Sequence, residues 1–307
     1  MNQTPAIRLD GLRKSFGPLT AVDGVDLTIR PGEVVALLGP NGAGKSTTID
    51  LALGLARPSS GTAELFGAEP IRAIRDGRVG AMLQGGALLP TLTVRECVAL
   101  VASAHRQPLS VAEALERARC TEIATQRVSK LSGGQMQRAR FAVAVVSDPD
   151  LLFLDEPTAA MDVEARRTFW QSMREFTEEG RTVVFATHYL DEADTYADRI
   201  VMLARGRVVA DGTPAEVKAV VSGRRIRANV DFPWSPTVET ALAGLPGVRS
   251  VEHRAGTVAL VSDDSDATLR ALLAAHDDIH DIEVTAHTMD EAFLALTEAH
   301  ETDGATR

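Results

Sequence analysis

The stretch Gly39-Pro40-Asn41-Gly42-Ala43-Gly44-Lys45-Ser46 fits the pattern G-x-x-x-x-G-K-[ST], and its setting constrains the fold more than any other feature of the chain. Before it runs a short apolar segment, Val34 to Leu38; after it, Thr47 to Leu55 reads as a helix. Strand, glycine-rich loop and helix in that order build a device for phosphate. The glycines let the backbone wrap closely and aim its N–H groups at phosphate oxygens, while the helix N-terminus adds positive potential. Lys45 is expected to bridge the β- and γ-phosphates and the Ser46 hydroxyl to bind Mg²⁺, with Thr47 beside it at the start of the helix. A glycine-rich turn with a stray lysine would have no reason to lie between a buried strand and a helix.

A second run, Leu151-Leu152-Phe153-Leu154-Asp155-Glu156, complements the first. Four apolar residues suit a strand covered on both faces. Its end presents Asp155 to Mg²⁺, directly or through water, and places Glu156 to polarise an attacking water. Together the two motifs point to nucleoside triphosphate hydrolysis. Around them the pattern alternates. Residues 6–30 read as antiparallel strands, Ile7 to Leu9 and Ala21 to Ile29, and Gly61 to Phe66 and Val79 to Leu83 as further strands. Thr93 to Ala118 is helical in texture and Glu164 to Glu178 is amphipathic. Thr182 to Ala186 is a buried strand, and Ile200 to Ala204 with Arg207 to Asp211 a closing hairpin. Such alternation implies an α/β fold with a mostly parallel sheet and helices on both sides.

Charge sets a boundary. The chain carries 32 basic and 42 acidic side chains, yet residues 223–307 alone hold 7 and 15. The step near 222 separates a domain over 1–222 from a smaller one over 223–307. The smaller one reads as Ile226 to Phe232 (strand), Thr237 to Ala243 (helix), Val248 to His253 and Thr257 to Val261 (hairpin), Ala267 to Ala275 (helix) and Ile282 to Ala286 (strand). The order β-α-β-β-α-β, followed by a terminal helix from Met289 to His300, suggests a small α+β module of the ferredoxin-like type. A net charge of -10 is a poor match for nucleic acid, and no nucleic-acid partner is expected. Cys97 and Cys120 lack the spacing of a zinc site or a disulfide framework. Met1 to Arg13 lacks the apolar stretch of a signal peptide, and no run of apolar residues is long enough to span a bilayer.

Many folds hydrolyse triphosphates; Leu131-Ser132-Gly133-Gly134-Gln135 decides among them. With this pentapeptide before a helix, Met136 to Val146, the chain resembles the ATP-binding-cassette (ABC) ATPases over residues 6–218. The resemblance implies a P-loop NTPase cassette with a mixed sheet core, an antiparallel β subdomain and a helical subdomain at about 85–145, followed by the small α+β C-terminal domain. It implies ATP and Mg²⁺ as cofactors. It also implies two cassettes facing head to tail, so that Ser132, Gly133, Gly134 and Gln135 of one copy close on the γ-phosphate held by the other. A Ser-Gly-Gly turn at a helix N-terminus is itself an anion-binding device. By the same resemblance Phe16 stacks on adenine, Gln84 reaches Mg²⁺ and water, Asp162 lies in the loop that crosses to the other subunit, and His188 contacts the γ-phosphate. Taken alone, Phe16 could be a core aromatic, Gln84 says nothing, and His188 could be structural.

What the ATP serves has three readings: the motor of a membrane transporter with a separate permease, a soluble DNA-maintenance or translation ATPase, or a regulator with ATP as ligand only. DNA and translation members usually carry a coiled-coil or zinc insertion or two cassettes in one chain, and the intact catalytic set speaks against a regulator. The transporter reading is preferred, with the chain on the cytoplasmic face of the cell membrane, attached through the permease. Gln84 to Glu96 resembles the segment by which ABC-2-type exporter ATPases receive the permease. Met289-Asp290-Glu291-Ala292-Phe293-Leu294-Ala295-Leu296-Thr297 is similar to the closing motif of the daunorubicin-resistance type of drug-export ATPase. Met289, Ala292, Phe293 and Leu296 share one helical face, which could equally pack on its own domain. Export of a drug, antibiotic or lipid-like compound is therefore expected, with import as the alternative. A complete site in one chain favours a homodimer.

Overall fold

In the computed structural model, which describes residues 4–85, 88–219, 223–276, 278–286, 289–293 and 296, the chain opens on an antiparallel layer. β1 (Ile7–Phe16) folds back at Gly17-Pro18 onto β2 (Leu19–Ile29). β1 runs on past the expected Leu9 because a register shift after Leu9 absorbs Asp10 and Gly11 and lets pairing resume at Leu12. β3 (Val34–Leu38) enters the core with all five side chains buried, and α1 (Lys45–Ala52) follows the glycine-rich loop. β4 (Ser60–Leu65) returns to the other edge of β1, giving the order β2-β1-β4.

After α2 (Pro70–Arg75) and β5 (Val79–Met82) comes the helical segment. The expected helical stretch from Thr93 to Ala118 is two helices, α3 (Val94–Ala102) and α4 (Val111–Arg117). Pro108 lies in the break, and each helix has its own cap. Thr93 pairs with Glu96, and Ser110 with Glu113, in closed capping boxes. α5 (Gly133–Val145) completes the segment. β6 (Leu151–Asp155), α6 (Val163–Glu178), β7 (Thr182–Ala186), α7 (Leu190–Tyr196), β8 (Arg199–Ala204) and β9 (Arg207–Gly212) finish the first unit.

The six-stranded sheet has the order β5-β6-β7-β3-β8-β9. Its first five strands are parallel, and β9 closes the edge antiparallel to β8. β3, β6 and β7 are buried from end to end, as strands covered on both faces must be, and one of those faces packs with the antiparallel layer of β1 and β2. They are neighbours in the sheet, so whatever follows their C-terminal ends is gathered at one place. Sheets of this kind bind ligands there.

The chain divides into compact units at Thr213/Pro214, ahead of the charge step near 222. α8 (Pro214–Ala219), with Val217 buried, belongs to the second unit although its composition still matches the first. There β10 (Arg224–Val230), α9 (Pro236–Ala243), β11 (Val248–Arg254), β12 (Thr257–Ser262), α10 (Ser265–Ala275) and β13 (Ile279–Ala286) follow the β-α-β-β-α-β order. The sheet order β11-β12-β10-β13 is antiparallel throughout. Ile226, Ala228, Val230, Leu242, Val258, Leu260 and Leu272 form its core. Of the apolar face read at the end of the sequence, Met289, Ala292 and Leu296 are buried, and Glu291 bonds Arg225 of β10 at 2.6 Å. Leu294, Ala295, Thr297 and the rest of that terminal helix lie outside the described residues, as do Gly86 and Ala87. No helix of the described residues is long and apolar enough to cross a membrane.

Candidate functional site

The loop between β3 and α1 lines a cavity of about 340 Å³ with Asn41, Gly42, Ala43, Gly44, Lys45, Ser46 and Thr47. Gly44 is the N-cap of α1 at φ 102, and a Cβ there would stand 2.4 Å from the Ala21 carbonyl oxygen, so only glycine fits. No side chain caps α1, which leaves its first-turn N–H groups to a ligand. Lys45 is buried and its ammonium donates to the carbonyl oxygens of Gly39 (2.5 Å) and Pro40 (3.2 Å). Burial lowers its pKa; the carboxylates of Glu156 and Asp155 work against that.

β6 delivers the acidic pair. Asp155 is 5% exposed and its Oδ1 has no hydrogen-bond partner. Burial raises its pKa, against a hydrogen bond from Ser46 and the charge of Lys45. An orphaned, buried carboxylate oxygen beside a serine hydroxyl fits a hard divalent cation. Among the described residues no cluster of three or more His, Cys, Asp or Glu side chains forms a cage. Glu156 has a left-handed backbone, φ 51, and its N–H donates to Ala186 of β7 at 2.9 Å. That conformation costs a non-glycine residue about 1–3 kcal/mol and aims the carboxylate into the cavity, which Glu156 lines. Its Oε2 lies 2.6 Å from His188 Nδ1, the geometry of an imidazole N–H donating to a carboxylate.

Phe16 and Gln84 line the same cavity. Phe16 is 53% exposed, so it is not the core aromatic its residue type allowed; Lys14 Nζ sits 4.9 Å from its ring centre. Leu19 and Ala21 of β2 also line the cavity. Leu19 pairs with Phe16 across the hairpin, which is the signal in the sequence that places them there.

Ser132, Gly133, Gly134, Gln135 and Asp162 stand apart: none lines this cavity. Ser132 is the N-cap of α5, which begins three residues earlier than the sequence suggested, at Gly133. The Gln135 N–H donates to Ser132 Oγ (3.3 Å), and the Ser132 N–H to Gln135 Oε1 (2.9 Å). A Cβ on Gly133 would stand 2.9 Å from the Ala160 carbonyl oxygen, and Gln137 donates to Ala159 at 3.2 Å, so this turn is packed on the loop after Glu156. Asp162 at the end of that loop caps α6 through the Ala165 N–H at 2.8 Å. One chain thus presents two helix N-termini, one without a side-chain cap and one with, and the second lines no part of this cavity.

A family model described as "ABC transporter" matches residues 22–159. The Daunorubicin resistance ATP-binding protein DrrA3 of Streptomyces coeruleorubidus is 37% identical over 95% of this chain and 96% of its own. The Daunorubicin/doxorubicin resistance ATP-binding protein DrrA of Streptomyces peucetius is 38% identical over 97% and 94%. The Nod factor export ATP-binding protein I of Paraburkholderia xenovorans (strain LB400) is 41% identical over 70% and 73%. Among solved structures, a dimeric bacterial ABC transporter cassette superposes with a TM-score of 0.63 at 29% identity, covering 68% of this chain and 98% of its own. A post-hydrolysis state of that cassette bound to ADP and Pi matches equally.

Proposed function

Because the chain belongs to the ABC transporter ATP-binding proteins, in the group of the daunorubicin-resistance exporter ATPases, we propose that it is the motor subunit of an exporter whose permease is a separate chain. It is an ATPase of the ABC type. The exported compound is drug-like, in keeping with the relatives that match it along almost their whole length. Attachment to the permease puts the chain at the cytoplasmic face of the membrane. The exposed Leu89 in the segment after Gln84 offers the permease an apolar contact. Residues 214–307 are an accessory module that stabilises or regulates the pair of cassettes.

The observation that carries the reading is the pairing of one open and one closed helix N-terminus in a single chain. In the proposed site Phe16 stacks on adenine, and the loop from Gly39 to Thr47 binds the phosphates through backbone N–H groups and the Lys45 ammonium. Binding requires Lys45 to leave the Gly39 and Pro40 carbonyl oxygens for phosphate, whose negative charge favours the ammonium that burial works against. Ser46, Gln84 and Asp155 would hold Mg²⁺, and the ion would supply neutralisation of phosphate charge. Glu156 accepts a proton from the attacking water, and His188 orients that carboxylate and contacts the γ-phosphate. Before that attack the Ser132 turn of a second copy covers the γ-phosphate, as the crossing loop around Asp162 meets its counterpart. Loss of the γ-phosphate removes the contacts that hold the copies together, and the pair opens.

Sedimentation of the full-length Glu156→Gln chain with ATP and Mg²⁺ tests this. The expected result is a dimer that reverts to monomer when nucleotide is withdrawn. A monomer at saturating ATP overturns the shared-site reading.

A further inference from the structure

Behind the Glu156–His188 contact lies a buried carboxylate with no part in the site as described. Glu192, on α7, is 3% exposed. The Thr158 hydroxyl donates to its Oε1 at 2.6 Å and the Thr187 hydroxyl to its Oε2 at 3.0 Å. Both threonines are buried, at 1% and 0% exposure. Thr187 in turn accepts the Tyr189 N–H at 3.0 Å. Arg166 of α6 completes the cluster, with Nε 3.4 Å from Glu192 Oε1 and its guanidinium 4.2 Å above the Tyr189 ring.

The positions of these partners matter. Thr158 comes two residues after Glu156, and Thr187 immediately precedes His188. One rigid planar group therefore holds the loop carrying the proposed base by one oxygen and the loop carrying the histidine by the other. A carboxylate is costly to bury and is retained only where its oxygens are satisfied. Here each oxygen receives a hydroxyl and a guanidinium stands alongside. The loop it holds is strained, with positive φ at Glu156 and Ala160, and such conformations persist only where surrounding contacts over-determine them.

We propose that Glu192 is a positioning residue for ATP hydrolysis: by clamping Thr158 and Thr187 together it sets the separation of Glu156 and His188. Through Arg166 it also ties that separation to α6 and so to the loop ending at Asp162. The inference rests on the roles given above to Glu156 and His188.

The test is steady-state ATP turnover and nucleotide affinity of the full chain carrying Glu192→Gln, Thr187→Val, His188→Ala, or Glu192→Gln with His188→Ala, each with its thermal unfolding midpoint. Glu192→Gln and Thr187→Val are expected to lower kcat on the order of tenfold, the scale of a small misplacement of catalytic groups, with ATP affinity held within about twofold. Added to His188→Ala, Glu192→Gln should cost less than about twofold more, because groups acting through one contact are not additive. Multiplying losses in the double variant overturn the inference. So does a joint fall of kcat, affinity and unfolding midpoint, which marks a merely structural role. Slow His188→Ala beside wild-type rates in both Glu192→Gln and Thr187→Val sinks this inference alone. A wild-type rate in His188→Ala removes the assigned role of His188 and this inference with it. Thr187→Val keeps the carboxylate and decides the matter if the Glu192 variants do not fold.

Discussion

Helix α1 begins at Gly44 with no side chain over its first turn, whereas α5 begins at Ser132 inside a closed capping box with Gln135. Both are N-termini with amide groups facing outward and the same partial positive charge. Their difference lies in what satisfies those groups. At α1 the chain supplies glycines and a lysine, and the lysine is occupied with carbonyl oxygens of its own loop. At α5 it supplies its own acceptor, Ser132 Oγ, to the Gln135 N–H at 3.3 Å. On the proposed reading the first end takes an anion from solution, and the second, where Ser132 Oγ already serves the Gln135 N–H, meets a phosphate only when the other copy brings it.

Substitutions can break the contrast at either end, and the largest effect should come from the group between them. Glu156→Gln should lower turnover by about a hundredfold or more, the usual weight of a general base, while leaving ATP affinity intact. A colorimetric phosphate assay beside equilibrium nucleotide binding measures both, and ordinary turnover would remove Glu156 from the role. Lys45→Ala acts on the open end. It should weaken ATP binding about ten- to a hundredfold, the equivalent of one lost charged hydrogen bond of roughly 1.5–3 kcal/mol, as read by calorimetric titration. Ser132→Ala acts on the closed end and should leave ATP affinity of the single chain unchanged. It should cost about 1 kcal/mol of stability through the lost cap and weaken ATP-driven association about fivefold, measured by thermal melts and sedimentation.

The smallest effect is electrostatic. Burial raises the Asp155 pKa in the nucleotide-free chain, so in the window between the ordinary carboxylate range and that raised value the folded state holds a proton the unfolded state has released. This contribution to stability is fully present below the ordinary range and is lost as pH rises through the raised value. Asp155→Asn should therefore be at least as stable as the parent at neutral pH, with the difference vanishing on acidification, even as Mg²⁺-dependent turnover disappears. Thermal unfolding across that pH range checks the sign.

Much of this was legible in the sequence because local patterns specify it. The phosphate loop, the apolar strand before Asp155 and the α+β order after Gly223 each depend on neighbours a few residues away. Ser132-Gly133-Gly134-Gln135 fits S-x-x-Q and so signals the cap at Ser132, whereas texture alone starts the helix at Met136. Pro108 and Ser110 signal the break between α3 and α4, which the helical texture of Thr93 to Ala118 as a whole conceals. Other features depend on distant partners. The orphaned oxygen of Asp155 depends on its burial at the end of a strand whose neighbour, β7, comes from later in the chain. Glu192 reads as one acid among several in Asp191-Glu192-Ala193-Asp194; only the approach of Thr158, from 34 residues away, distinguishes it. Nor does any local signal announce that Glu156 has a positive φ, or that Lys45 turns back on its own loop.

One chain keeps its phosphate loop and its Ser132 turn in separate places, and genetics inherits the consequence. If two copies pair as proposed, a damaged loop on one polypeptide and a damaged turn on the other would fall in a single pocket. The remaining pocket would be assembled wholly from sound halves. Two alleles that are each inactive alone would thus restore a transporter with one working chamber, and two alleles hit in the same half would not.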